Sequence, residues 1–166
     1  MSQLLSESTV VFPNNIVSLL VDELGVIDPS DTTIKKRPLR ATDPNQSIGI
    51  FSTMWTPNDE SLEMGHRNPH EPTLGRYNVG VQGLVSHGDE EIGLAVHAIL
   101  ANMIRSILYR SSTIAVELPQ LVVTDGLNTE RPMRWGVNQQ RYINNEIGGT
   151  FIFLSTLEFW VETVVQ

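Results

Sequence analysis

The residues of this chain best suited to chemistry stand together in Glu63-Met64-Gly65-His66-Arg67-Asn68-Pro69-His70-Glu71. Imidazole and carboxylate are ligands for zinc or iron, and two histidines four apart on a helix would present both rings to one ion. Pro69 stands between them, where it removes a backbone donor and turns Asn68 away from helical dihedrals, so that presentation fails. A small metal-dependent hydrolase using His66 and His70 with Glu63 or Glu71 is therefore the lesser reading, beside a solvated loop. His87 precedes a helix and His97 lies within one, and both read as structural. Glu158 and Glu162 share one face of a strand but stand roughly 13 Å apart, too far for the carboxylate pair of a retaining glycosidase. There is no cysteine, nucleophile elbow, phosphate loop or dinucleotide fingerprint. Gly80-x-x-Gly83 sits inside a strand and reads as close packing or a bulge rather than a phosphate cradle. The expectation is a protein that is no enzyme, with no catalytic residue, metal or cofactor.

The elements around these residues follow from periodicity. Pro13 suits a first helical turn, and Ile16, Leu19, Leu20 and Leu24 recur at helical spacing up to Gly25, which predicts a helix over 13–24. Residues 28–47 carry three prolines and the basic run Lys35-Lys36-Arg37 with Arg40, and read as a long loop. That run suits acidic surface on a neighbouring subunit better than a phosphate backbone. Alternation predicts strands at 48–55 and 74–85, paired antiparallel across a second long loop at 56–73. A helix over 88–110 starts behind a capping-box pattern at Ser86 and Asp89 and presents Ile92, Leu94, Ala95, Ala98, Ile99, Met103, Ile104 and Leu108 as a broad apolar face. Residues 114–123, broken by Pro119, read as short strands or a turn, and Asp125-Gly126 as a turn. Residues 133–142 read as a polar strand, followed by a turn region at Asn144-Asn145-Glu146 and Gly148-Gly149.

The last eighteen residues, 149–166, read as one strand. Sixteen extended residues span roughly 53 Å, about three times the usual strand. Phe151, Phe153, Leu157, Phe159, Val161 and Val165 share a core face broken only by Ser155 and Thr163. The other face turns from Ile152 and Leu154 to Thr156, Glu158, Trp160 and Glu162. On this pattern the first half is central core, and the half from Glu158 to Val164 reaches partners beyond its own sheet. Arg134, Trp135, Arg141, Glu158, Trp160 and Glu162 are the candidate subunit-interface residues, with Trp160 as the anchor.

With 166 residues and 40% of them hydrophobic, the chain has material for one core, so 1–166 reads as a single domain. The element order is α+β: a mostly antiparallel sheet with two main helices packed on one face and a long C-terminal strand. The net charge of −8 argues against sequence-independent binding to DNA. No basic leader opens the chain, and no apolar run reads as a membrane span.

The order of elements, the helix Ala98-x-x-Ala101-Asn102-Met103-Ile104-Arg105-Ser106-Ile107-Leu108-Tyr109-Arg110, the block Met133-Arg134-Trp135-Gly136-Val137 and the stretch Phe151-Ile152-Phe153-Leu154-Ser155-Thr156-Leu157-Glu158-Phe159-Trp160-Val161-Glu162 resemble the tail terminator proteins of long-tailed bacteriophages, also called minor tail or tail-completion proteins. The resemblance runs from about Leu84 onward. It implies a subunit of a homohexameric ring that caps the tail tube, stops its polymerisation and offers the surface that joins the head. The implied partners are further copies of the chain, the tail tube protein and the head-completion connector, with genome DNA passing an acidic lumen without specific binding and no membrane involved. The implied location is the virion, at the head–tail joint, and host cytoplasm before assembly. A head-completion connector or a tube subunit is the neighbouring reading, and a small-ligand-binding α+β domain is a further one. The loops at 28–47 and 56–73 depart from a compact member of that family.

Overall fold

The computed structural model describes residues 2–27, 32–53, 55–57, 73–125, 128–138 and 140–166. Helix α1 (Ser2–Leu24) starts eleven residues before the expected point and runs through Pro13. An interior proline forfeits one hydrogen bond and crowds a carbonyl, a cost of about 3 kcal/mol. Burial on either side offsets it: Phe12 and Ile16 are fully enclosed, and the Phe12 ring stacks on Tyr77 with centroids 5.2 Å apart. Each such side chain contributes about 1.5–3 kcal/mol.

The strands are β1 (Thr33–Lys35), β2 (Gln46–Ser52), β3 (Thr56–Pro57), β4 (Thr73–His87), β5 (Val123–Asp125), β6 (Asn128–Val137), β7 (Arg141–Ile147) and β8 (Thr150–Val165). They form one sheet in the order β1-β2-β4-β8-β6-β5, with β3 on β4 and β7 on β8; the β1–β2 pair is parallel and the others antiparallel. The fold is α+β, with the long C-terminal strand as its spine. The expected β2–β4 pairing is present, while the segment expected as loop over 28–47 contributes β1 and the start of β2. Residues 58–72, which include His66, His70, Glu63 and Glu71, lie outside the described residues, as does the Gly126 turn.

Helix α2 (Glu90–Arg110) lies on the sheet through a stripe of Gly93, His97, Leu100, Ala101, Ile104 and Leu108. The predicted apolar face is thus split, with Ile92, Ile99 and Met103 outside and Val96 and Ile107 at the margin. Its cap is Asp89, whose carboxylate accepts from the Ile92 amide at 3.0 Å. Ser86, expected to open the capping box, is still inside β4, because that strand continues to His87. Residues 114–123 do not form strands at their start. Ser111 ends α2 and caps a short α3 (Ser112–Glu117) through its hydroxyl, and a 3-10 turn follows at Leu118–Gln120, with Pro119 in its first turn. By length and hydropathy alone Glu90–Gln120 also passes for a membrane span, which the sequence reading did not expect, although a third of an apolar eighteen-residue window within it is buried in this fold.

The core lies between α1, α2 and one face of the sheet. Ile48, Ile50, Tyr77, Val79, Val81, Leu157, Phe159 and Val161 point into it at the period-two spacing of strands. Thr163 and Glu130, both without exposure, form a polar inclusion there: Trp55 Nε1 donates to Thr163 Oγ1 at 3.1 Å, and Thr163 donates to Glu130 Oε1 at 2.8 Å.

Candidate subunit interface

Strand β8 is hydrogen-bonded along both edges within its own chain. On one edge β4 runs beside it for fifteen residue pairs, from Thr73 with Val165 to His87 with Phe151. On the other, β6 pairs with its C-terminal half and β7 with its N-terminal half. The segment expected as a single strand over 133–142 is therefore divided between two: β6 ends at Val137 after a register shift between Pro132 and Arg134, and β7 begins at Arg141. Gly148 and Gly149 return the chain with φ of 58° and 80°, the positive values that a two-residue type I′ hairpin turn takes at both positions. With the turn concentrated there, residues 144–146, expected within it, stay in β7.

This corrects the expectation for the second half of β8. The half from Glu158 to Val164 needs no outside strand, and Val161–Val165 is its most buried stretch, while the first half alternates buried with half-buried residues as a core strand does. The exposed strand is its neighbour. Every residue of β7 is exposed, and Tyr142, Ile143 and Ile147 are each more than half open to solvent. Beneath Tyr142 the imidazole of His97 is enclosed, with ring centroids 6.0 Å from Tyr142 and 5.9 Å from Phe153. Burial pushes its pKa down, partly opposed by a hydrogen bond to the Gly83 backbone.

Of the six candidate interface residues, five share the sheet face opposite α1 and α2. Alternation places Arg134, Arg141, Glu158, Trp160 and Glu162 there and turns Trp135 to the other side, where it packs on the core. Glu162 is buried and accepts from Arg134 at 2.8 and 3.2 Å, with Arg76 at 3.8 Å. The carboxylate raises the Arg134 pKa. The Arg76 guanidinium lies 4.5 Å from the Trp160 ring centroid, within cation–π range. Trp160 in turn covers Gly136, where a Cβ would come within 2.7 Å of the indole. Glu158 accepts from the Asn138 side chain at 2.7 Å, and with Arg141 and Thr156 these line a small cleft. On strands β4, β6, β7 and β8 this face carries Arg76, Arg131, Arg134 and Arg141 against Glu158 and Glu162. The acidic excess of the chain is elsewhere.

The loop between β1 and β2 crosses the same face further along. Arg37 clamps Asp43 through both oxygens, and Asp43 also accepts from the Arg40 amide. Those donors hold its carboxyl at about 2. Leu39 lies over Gly49, and its amide donates to Gln82 Oε1 at 2.8 Å. Phe51 likewise lies over Gly80, so the close packing expected at that glycine is present. Among the described residues no three potential ligands gather to hold a metal ion.

No known protein family matches the chain. No curated protein matches it either. One solved structure, which carries no descriptive name, superposes with a TM-score of 0.43 at 14% identity, over 100% of this chain and 96% of its own. A second, the virion of a native gene transfer agent (GTA) particle, gives 0.39 at 9% identity, over 86% and 84%. Likenesses this distant establish neither fold nor function.

Proposed function

We propose that this protein is a structural subunit that closes into a ring, most specifically the ring that caps a phage tail tube and joins it to the head. The observation that supports assembly is a pair of unlike apolar surfaces on one subunit. One is the face of the β7 arm turned away from α2, with Ile143 and Ile147 beside Leu154 and Thr150 of β8; the other is the outer stripe of α2 with Ile92, Ile99 and Met103. At 3.6 residues per turn that stripe stands roughly 140° around α2 from His97, which faces Tyr142, so the two surfaces look different ways. A ring repeats one heterologous contact, which needs two different patches on each copy, and exposed apolar surface of this kind marks interaction sites.

The tail-terminator role comes from the resemblance of the helix, the Met133–Val137 block and the β8 stretch. It brings the tail tube protein and head-completion connector as partners, a place in the virion at the head–tail joint, and passage of DNA through the ring. This reading assigns no catalytic residue, metal or cofactor to the chain. The arginines of the sheet face opposite α1 and α2 would retard DNA if that face lined the lumen, so the reading places it away from the genome. Electron microscopy of purified protein mixed with tail tubes provides the test. Closed rings of one size at one end of each tube are expected. A strict monomer at high concentration that also fails to complete tails overturns the reading.

A further inference from the structure

The start of β7 lies over the enclosed imidazole of His97 as a strap. Tyr142 OH donates to Gln140 Oε1 at 3.0 Å, and Gln140 Nε2 donates to the Ala101 carbonyl of α2 at 3.4 Å. The Tyr142 ring meets His97 edge to face, and Phe153 of β8 stacks on it. His97 is 2% exposed although Tyr142 is 57% exposed, so on that side an exposed side chain is what covers the imidazole.

The enclosure suits the neutral ring. Nε2 has no hydrogen-bond partner, and burial disfavours the charged form, opposed by a hydrogen bond to the Gly83 backbone. A proton on Nε2 would be an enclosed donor without an acceptor. No carboxylate of the packed elements stands beside it. Asp89, Glu90 and Glu91 open α2 roughly 9–12 Å before His97 along the axis, and Asp89 already accepts from the Ile92 amide. On β7 Glu146 is four residues beyond Tyr142, roughly 13 Å, and Arg141 turns to the opposite face. On β4 His87 lies beside Gly93, one turn before His97, and would add only positive charge. The facing residues of β8 are Phe151, Phe153 and Ser155, none of them charged.

Of the elements around His97, β7 is the easiest to move. Among the described residues it is paired along one edge only, and all of it is exposed. Counting back from the turn at 148–149, Ile147, Asn145, Ile143 and Arg141 exchange hydrogen bonds with β8, while Tyr142, Asn144 and Glu146 turn theirs away. The Glu146 amide accordingly donates to the Asn145 side chain at 2.9 Å. We infer that Gln140 to Tyr142 is an acid-released strap: a proton on His97 lifts it from α2, unpairs β7 from β8 as far as Ile143 and hydrates the imidazole, while the turn end stays paired. In the lifted state the ring is solvated and holds its proton up to the ordinary value of 6.5. Release is therefore suppressed above pH 6.5 and grows as pH falls from there toward the closed-state value, by at most tenfold per pH unit for one proton. The strap acts within one subunit, whether or not subunits assemble.

Amide hydrogen exchange of the full chain at pH 7.5 and 5.5, corrected for the intrinsic effect of pH on exchange, tests this. Arg141 and Ile143 are expected to exchange at least about tenfold faster than Val79 and Val81 of β4 at both pH values, with little dependence on urea, because the opening exposes little surface. Their protection should fall about three- to tenfold at pH 5.5, while that of Ile147 holds. His97→Phe should remove the pH response and His87→Asn should keep it. Gln140→Ala should speed exchange at Arg141 and Ile143 at both pH values. Exchange of these two amides only together with Val79 and Val81, no pH response, a response that survives His97→Phe or is lost in His87→Asn, or a Gln140→Ala protein that exchanges like the parent overturns the inference.

Discussion

Arg134 grips both carboxylate oxygens of Glu162 from the adjacent strand, at 2.8 and 3.2 Å, on the sheet face opposite α1 and α2. Glu162 is enclosed while Arg134 is largely exposed, so the arginine closes the site from the solvent side. Removing Arg134 leaves a buried carboxylate with a weaker set of partners, whereas removing both ends leaves no charge to solvate. In a double-mutant cycle read by urea denaturation, Arg134→Ala and Glu162→Gln together are expected to cost less than the sum of the two alone. Strict additivity would show that the pair contributes nothing.

Trp160 fixes what can stand beneath it. Since a Cβ on Gly136 would meet the indole at 2.7 Å, Gly136→Ala is expected to destabilise the fold by about 1–3 kcal/mol. Trp160→Leu in that background should recover part of the loss by vacating the space. A Gly136→Ala protein as stable as the parent in urea would mean that the indole shifts freely.

His97 makes stability depend on pH with a definite sign. Its folded pKa lies below the ordinary 6.5, so between the two values the unfolded chain holds the extra proton. Its contribution is complete above pH 6.5 and is lost as pH falls from there toward the folded value. His97→Phe keeps an aromatic ring between Tyr142 and Phe153 and is expected to flatten the change in urea midpoint between pH 7.5 and 5.5. An unchanged pH slope in the variant would remove His97 as its source.

The β7 arm separates assembly from folding. Ile143→Asp and Ile147→Asp change exposed side chains, for which stability effects stay within about 0.5 kcal/mol. Rings are expected to disappear while the urea midpoint holds. Rings that persist in both variants would place the contact elsewhere on the subunit.

What the residues revealed and what they concealed divide along physical lines. Strands β4 and β8 and helix α2 were legible because each carries a long period of one kind, and the alternation that put Arg76 opposite Tyr77 was readable too. The partnership of Arg76 and Arg134 with Glu162 was not, because strand register depends on tertiary pairing and a shift of one residue exchanges the faces. Alternation could have warned that Trp135 and Arg134 cannot share a face. Pro13 misplaced the start of α1, since a proline that suits a first turn is also tolerated within a helix when packing outweighs its cost. Ser112–Glu117 escaped notice because six residues carry too little periodicity to tell helix from strand. The length of β8 suggested missing partners, which turned out to be a bulged arm and a fifteen-residue neighbour from the same chain.

The ladder between β4 and β8 also governs the order in which this protein can acquire its structure. Its paired residues lie about 60 to 90 positions apart in the sequence, and β4, β6 and β7 all precede the strand that joins them. β7 meets β8 through a two-residue turn, a local pairing, but β4 cannot complete its inner edge until β8 reaches it, so the entropy of closing the long intervening loop falls on that one ladder. A hairpin of β7 and β8 can form on its own, and docking it on β4 is the costly step. Folding should therefore be slow for a chain of this size, limited by the meeting of residues 73–87 with 151–165.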